Sequence, residues 1–197
     1  MFGKSLIPYE PIAPAETMID GATSDATCPA FKLVQTGASF TSSVKEGDLV
    51  IHGPGTAGAK SAYVIEVEDD TTLLLDENLE FDSDDFDIRR PSELSIRPPE
   101  LVEWVLRSIR TGKGDQVNRI GMWFSDGFRK VLMLDTKRLY VEKGFDLSSD
   151  DPTGFWMEDL DLFVTNEKEI LIRNCCDETA DVIVMGINKT VDIGDQG

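Results

Sequence analysis

The sequence predicts a mainly β protein, built as small β-sandwich or barrel modules with at most one short helix and an extended N-terminal arm. Three observations carry that prediction. Short apolar segments rich in β-branched residues recur at intervals of about ten residues from Phe31 onward, the spacing of a small sandwich or barrel. Turn residues punctuate them, with Asp126-Gly127 the strongest hairpin signal. Pro8, Pro11, Pro14 and Pro29 fall among small and polar residues in the first 29 positions. Each removes a backbone donor and turns the preceding residue away from helix.

Taken in order, residues 1–29 are expected to form an extended arm that becomes ordered by lying on a neighbouring subunit. Residues 30–90 are expected to form a first small β module. Its strands are Phe31 to Val34, Asp48 to Ile51, Ala62 to Val67, Thr71 to Leu75 and Phe86 to Arg89. Gly47-Asp48 opens the second of these, and Asp69-Asp70 turns the chain between the third and fourth. Residues 91–197 are expected to form a second β-rich module. Leu101, Val102, Val105, Leu106 and Ile109 recur at helical spacing after Pro99 and Glu100, which predicts a short helix near 99–110 ended by Gly112 and Gly114. Val102, Trp104, Leu106 and Ser108 also alternate, which is the competing strand reading. Further strands are expected at Val117 to Ser125, Phe128 to Asp135, Arg138 to Val141, Phe155 to Thr165, Glu169 to Arg173 and Asp181 to Ile187. No internal repeat of solenoid or propeller length is present.

With 197 residues the chain can bury a core without disulfide or metal staples. A net charge of −18 argues against sequence-independent nucleic-acid binding, which needs cations opposite phosphates. The longest apolar runs, such as Val131 to Leu134, are too short to cross a bilayer. The first residues lack a signal peptide's apolar centre, and Phe2 stands where myristoylation needs glycine. Synthesis in a cytosol is the expectation. The charge is uneven: residues 66–88 carry eleven acids and no base, whereas residues 89–143 are net basic. Two readings follow, a solvated surface that keeps the chain soluble, or an acidic band that meets the basic middle of a neighbouring copy.

The residues that invite chemistry are few. Gly53-Pro54-Gly55-Thr56-Ala57-Gly58-Ala59-Lys60-Ser61 approaches a phosphate-binding loop, but Ala59 displaces the lysine by one position. A strand follows it instead of the helix whose amides would hold phosphate, so a hairpin tip is expected. Asp82-Ser83-Asp84-Asp85-Phe86-Asp87 matches only part of a calcium loop and is expected to be a solvated acidic turn. His52 is the single histidine, and the three cysteines, Cys28, Cys175 and Cys176, form neither a CxxC pair nor an even disulfide set. Buried or bystander thiols are expected. Trp104, Trp123 and Trp156, with Tyr63, Tyr140 and Phe124, are expected in cores rather than on a sugar platform. No catalytic, cofactor-binding or metal residue is nominated, and no enzymatic activity is expected.

Residues 31–89 carry a resemblance. Ser43-Val44-Lys45-Glu46-Gly47-Asp48-Leu49-Val50, Ala62-Tyr63-Val64-Ile65-Glu66-Val67 and Asp70-Thr71-Thr72-Leu73-Leu74-Leu75 are followed by an acidic turn and Phe86-Asp87-Ile88. This series resembles a β module of structural proteins of tailed bacteriophages. The resemblance implies a virion protein of the capsid (decoration or minor capsid), the head-tail connector or the tail. It implies partners that are other virion proteins and copies of the same chain, in a homo-oligomer, with no direct nucleic-acid or membrane contact. A carbohydrate-binding or adhesin-type β module is the alternative.

Overall fold

The computed structural model describes residues 4–111, 117–126, 128–137, 155–157 and 162–190. The fold is mainly β, arranged in antiparallel sheets, and includes a short helix, the four-residue turn Phe40–Ser43 (α1).

The first module is a six-stranded sheet ordered β2-β7-β4-β5-β6-β3. Its strands are β2 (Glu16–Thr23), β3 (Lys32–Val34), β4 (Leu49–His52), β5 (Lys60–Val67), β6 (Thr72–Leu75) and β7 (Asp85–Arg90). The sheet curls until its ends approach, since the Asp25 amide just beyond β2 donates to the Val34 carbonyl in β3 (2.7 Å). Leu33, Val50, Val64, Leu73, Leu75, Phe86 and Ile88 fill the inside of the curl, and Phe40 of α1 plugs it with no exposed surface. The alternation of strand side chains puts these residues inward at every second position.

The second module is a sandwich. One sheet runs β1-β15-β9-β12, with β13 also on β9, and the other runs β11-β10-β14-β8. The strands are β1 (Lys4–Ile12), β8 (Ser92–Ile96), β9 (Val102–Thr111), β10 (Ile120–Ser125), β11 (Lys130–Asp135), β12 (Phe155–Met157), β13 (Leu162–Val164), β14 (Glu169–Asn174) and β15 (Ala180–Thr190). Trp104, Leu106, Val182 and Val184 of the first sheet meet Ile120, Met122, Ile170 and Ile172 of the second.

The helix expected near 99–110 is a strand. β9 pairs with β15 along Val102 to Thr111 and with β12 and β13 on its other side. Trp104, Val105 and Leu106 are all buried, so both faces of this inner strand are covered. A strand covered on both faces is apolar at adjacent positions, and that pattern also fits a helical stripe. The expected helix end at Gly112 and Gly114 and the expected strand at 138–141 lie outside the described residues.

Residues 4–23 are extended, and their own chain supplies the surface they lie on. β1 joins the second module by pairing with β15, and β2 joins the first by pairing with β7. Between them the Ala15 amide donates to the Cys176 carbonyl (2.8 Å), and Asn174 Nδ2 donates to the Ala13 carbonyl (2.9 Å). The N-terminal stretch therefore ties the two modules together. Pro8 lies within a register shift between Ile7 and Glu10, on a strand at the end of its sheet. An edge strand or a bulge is where a sheet tolerates a residue without an N–H.

Several sheet edges are blunted: β3 spans three residues, and register shifts interrupt the pairing of β1, β2 and β11, whereas the edge strand β8 pairs regularly over five residues. The blunted edges resist strand addition by another chain.

Candidate functional site

The two modules meet along a seam in which each contributes the outer face of a sheet. β4 is buried on both sides: Val50 faces the first core, while Leu49 and Ile51 face the seam. β10 and β14 repeat this arrangement, sending Met122 and Ile172 into the sandwich and Trp123 and Leu171 into the seam. Burying each large aliphatic side chain here contributes about 1.5–3 kcal/mol.

The polar centre of the seam is Arg119, 1% exposed and placed just before β10. Its Nε donates to Ser61 Oγ (3.0 Å), one terminal nitrogen donates to the Ser61 carbonyl, and the same nitrogen donates to Glu77 Oε1 (2.9 Å). The other terminal nitrogen lies 3.5 Å from Asp135 Oδ2, whose side chain is 2% exposed. Lys137 Nζ reaches the Ser61 carbonyl (2.9 Å) and Glu77 from the side. The guanidinium also stands 4.8 Å above the Tyr63 ring, which meets Trp123 edge-on at 5.5 Å. Ser61, Tyr63 and Glu77 belong to the first module, and Arg119, Trp123, Asp135 and Lys137 to the second. The cluster is a polar bolt across the seam.

Electrostatics within the bolt follow from burial and proximity. Burial works against the charge on Arg119, but Tyr63, Asp135, Asp76 and Glu77 outweigh it and raise its pKa. Burial also works against ionised Glu77, yet Lys137 and Arg119 together hold its carboxyl below the usual range. Lys137 is lowered by burial and by Arg119 beside it. Burial raises Asp76 and, much more strongly, the Tyr63 phenol. The Cys175 thiol, with Sγ 3.9 Å from the Tyr63 hydroxyl, is pushed up to about 12 by burial. At neutral pH it is a thiol and a poor nucleophile.

Two glycines leave room for the large side chains of the seam, Gly121 for Trp123 of its own strand and Gly47 for Arg173 of the other module. A Cβ on Gly121 would lie 2.4 Å from the Trp123 ring, and one on Gly47, at φ +88°, would lie 2.6 Å from Arg173 Nη1. Arg173 stands over the Trp123 ring, its guanidinium carbon 4.7 Å from the centroid, and donates from Nε to Glu93 (2.6 Å). The neighbouring Asp48 is 2% exposed. Its carboxylate accepts the Lys45 amide (2.9 Å) and both Nε (3.2 Å) and Nη2 (2.9 Å) of Arg90. Gly47-Asp48, read from the sequence as a turn before a strand, thus turns the chain and anchors the arginine that ends β7.

Beside the bolt the seam opens into a groove of about 480 Å³ floored by Tyr63 and Trp123. Glu46, Ile65 and Asp76 line its first-module wall, and Lys130, Leu132 and Arg173 its second-module wall.

The other residues singled out in the sequence lie elsewhere. Gly53 to Ala59 is the tip between β4 and β5, and the Ser61 of the near-miss phosphate motif is an acceptor for Arg119. Asp82 and Asp87 accept the amides of Thr27 (3.1 Å) and Gly21 (2.8 Å), and Asp85 accepts the Thr23 hydroxyl (3.0 Å). These carboxylates fasten β2 and the loop after it to β7, and no three metal-ligating side chains converge among the described residues. His52 Nε2 lies 3.1 Å from Asp84 Oδ2, with its ring edge-on to Phe81 at 4.9 Å. His52 and the Asp82 amide hold the Asp84 carboxyl below the ordinary range. Cys175 and Cys176 are buried and Cys28 is half-buried, all three as free thiols. Trp104 is a core residue, and the face of Trp123 is taken by Arg173. Phe124 is packed at the edge of the sandwich core under Lys168. Tyr140 and the side chain of Trp156 lie outside the described residues.

Reasoning from sequence missed the bolt. Glu77 was one of eleven acids in a band, and Arg119 and Lys137 were part of a basic middle. The acidic band does meet the basic middle in this structure, within one chain and across the seam. The only local hint was charge at strand ends: Arg119 precedes an apolar strand and Asp135 closes one.

No family model matches the chain, and no curated protein matches it in sequence. The fold and seam define its class: a two-module antiparallel β protein whose modules are joined by an ionic cluster around buried Arg119 and by one N-terminal strand in each.

Proposed function

We propose that the chain is a non-enzymatic structural component of tailed-bacteriophage particles, in the capsid or in the connector or tail. Its partners are other virion proteins and copies of itself. The observation that carries the reading is the use made of its reactive side chains. Arg119, Lys137, Glu77, Tyr63 and Cys175 face one another across the seam, and the acids of residues 82–87 fasten strands. Two modules bonded to each other across a polar seam suit a subunit that must hold its shape among neighbours. The resemblance of residues 31–89 to phage structural modules supplies the setting. The blunted sheet edges support contacts through side-chain faces, not through shared strands. The adhesin alternative gains no support from Trp123, since a sugar stacks on an open ring face and Arg173 occupies this one.

The test is mass spectrometry and electron microscopy of purified particles from the producing host. Stoichiometric presence of the chain, with density that fits the two modules, is the expected result. Its absence from intact particles rejects the proposal.

A further inference from the structure

We propose that the groove along the seam, with its two walls, is a two-fold interface by which the chain binds a second copy of itself. The inference rests on the assembly reading for its biological setting and names the surface and the partner. Folding pairs most described cations of the basic middle internally, among them Arg90 with Asp48, Arg97 with Glu169, and Arg119 and Lys137 with Glu77. Arg129 and Lys130 reach no described carboxylate at ion-pair distance; Arg129 acts only at longer range on Asp126, and Lys130 on Glu169, which Arg97 already pairs. Both sit on the β10–β11 hairpin, and Lys130 lines the second-module wall of the groove. Phe128 beside them is 98% exposed, and Val131 on the same hairpin is 53% exposed. The opposite wall presents Glu46, also without an ion pair among the described residues, and Ile65, 46% exposed. One groove therefore has a basic wall and an acidic wall, each next to exposed apolar surface.

That arrangement selects its occupant. In an isologous contact residue i of one copy meets j of the other, and j meets i. Turning a second copy about a two-fold axis across the groove brings each Lys130 toward the partner's Glu46, and each Phe128 toward the partner's Ile65 wall. Opposed charges then set the register while the apolar groups are covered. A partner carrying one sign of charge would complement one wall and be repelled by the other.

Sedimentation velocity of the full chain across the micromolar to sub-millimolar range, with three single variants, tests this. The wild type is expected to pass from monomer to dimer. K130E and E46K are each expected to weaken dimerisation by about tenfold or more, because each reversal acts twice by symmetry. F128S is expected to weaken it without any change of charge. An equimolar mixture of K130E and E46K is expected to recover association, since both contacts of the mixed dimer are again opposite in sign. All three positions are exposed, and unchanged thermal melts will confirm that each variant folds. E46K lowers the net negative charge, so tighter association of E46K would mark general charge repulsion as the control and overturn the proposal. A wild type that stays monomeric throughout, or a mixture that fails to recover, would overturn it as well. A chain that dimerises in this way but is absent from particles removes the assembly reading and leaves the interface standing. A strict monomer found in particles does the reverse.

Discussion

The bolt across the seam makes a quantitative demand on stability, and replacing Arg119 with methionine is the sharpest way to test it. Methionine keeps much of the side-chain length but none of the five donors. The substitution removes the hydrogen bonds to Ser61 and Glu77 and the cation above Tyr63. Glu77 and the Ser61 carbonyl keep Lys137, which limits the loss on that side. Asp135, a carboxylate only 2% exposed, loses the guanidinium 3.5 Å away and keeps its other contacts. Breaking a buried pair by removing one partner costs roughly 3–5 kcal/mol, and the contacts that Glu77 and Asp135 keep place R119M toward the lower end of that range. Native domains have about 5–15 kcal/mol in total, so the variant should unfold at a much lower urea concentration. Tryptophan fluorescence is a suitable probe, since Trp123 sits in the seam beside Tyr63. The companion is the double variant R119M/D135L, which removes both charges and should be more stable than R119M alone. A loss below about 1 kcal/mol for R119M, or a double variant no better than the single one, would refute the account of Arg119 as the counter-ion that lets Asp135 be buried.

Other outcomes follow from the same geometry. Gly121→Ala places a methyl against the Trp123 ring, held between Tyr63 and Arg173. It should cost about 1–3 kcal/mol by overpacking and alter the near-ultraviolet circular dichroism of that tryptophan; an unchanged spectrum and melt would contradict the packing described. Acid should weaken the fold. Glu77, Asp25, Asp84 and Glu169 have carboxyls lowered in the folded state, so their contribution is present above the ordinary carboxylate range near pH 4 and lost as the pH falls through the folded values. Asp76, raised by burial, acts in the opposite sense. Urea midpoints should therefore fall on going from pH 6 toward ~3, with a shallower dependence in E77Q; a flat profile would count against these carboxylates. Cys175, buried with its thiol pushed up to about 12, should resist alkylation in the native protein while half-buried Cys28 reacts first. Peptide mass spectrometry after timed iodoacetamide treatment reads the order, and equal rates would mean that the seam opens readily.

Much of the fold was legible because strands bury alternate residues. Lys32–Val34, Leu49–His52, Lys60–Val67, Thr72–Leu75 and Asp85–Arg90 fall where turn residues and β-branched runs placed them. The Asp69-Asp70 turn joins β5 to β6, and Asp69 accepts the Thr71 amide (2.7 Å). Legibility failed at Val102–Thr111, where an inner strand covered on both faces has no clean alternation. It failed also for β8 and for the assignment of β1 and β2 to separate modules. Proline marks a segment as extended but does not say which strand it will lie beside.

What the chain determined locally is its β character, its turns, its lack of an apolar run long enough to cross a bilayer, and the acidic composition. Those properties depend on near neighbours, through side-chain alternation and the backbone preferences of Gly, Pro and Asp. Tertiary structure alone decided that Arg119 would bury its charge among Ser61, Glu77 and Asp135, partners 58, 42 and 16 positions away. It also decided that two glycines would admit Trp123 and Arg173, and that Lys130 would line the groove beside the seam. A charge pair becomes strong when water is excluded from it, and that exclusion arises only once the two modules have closed on each other.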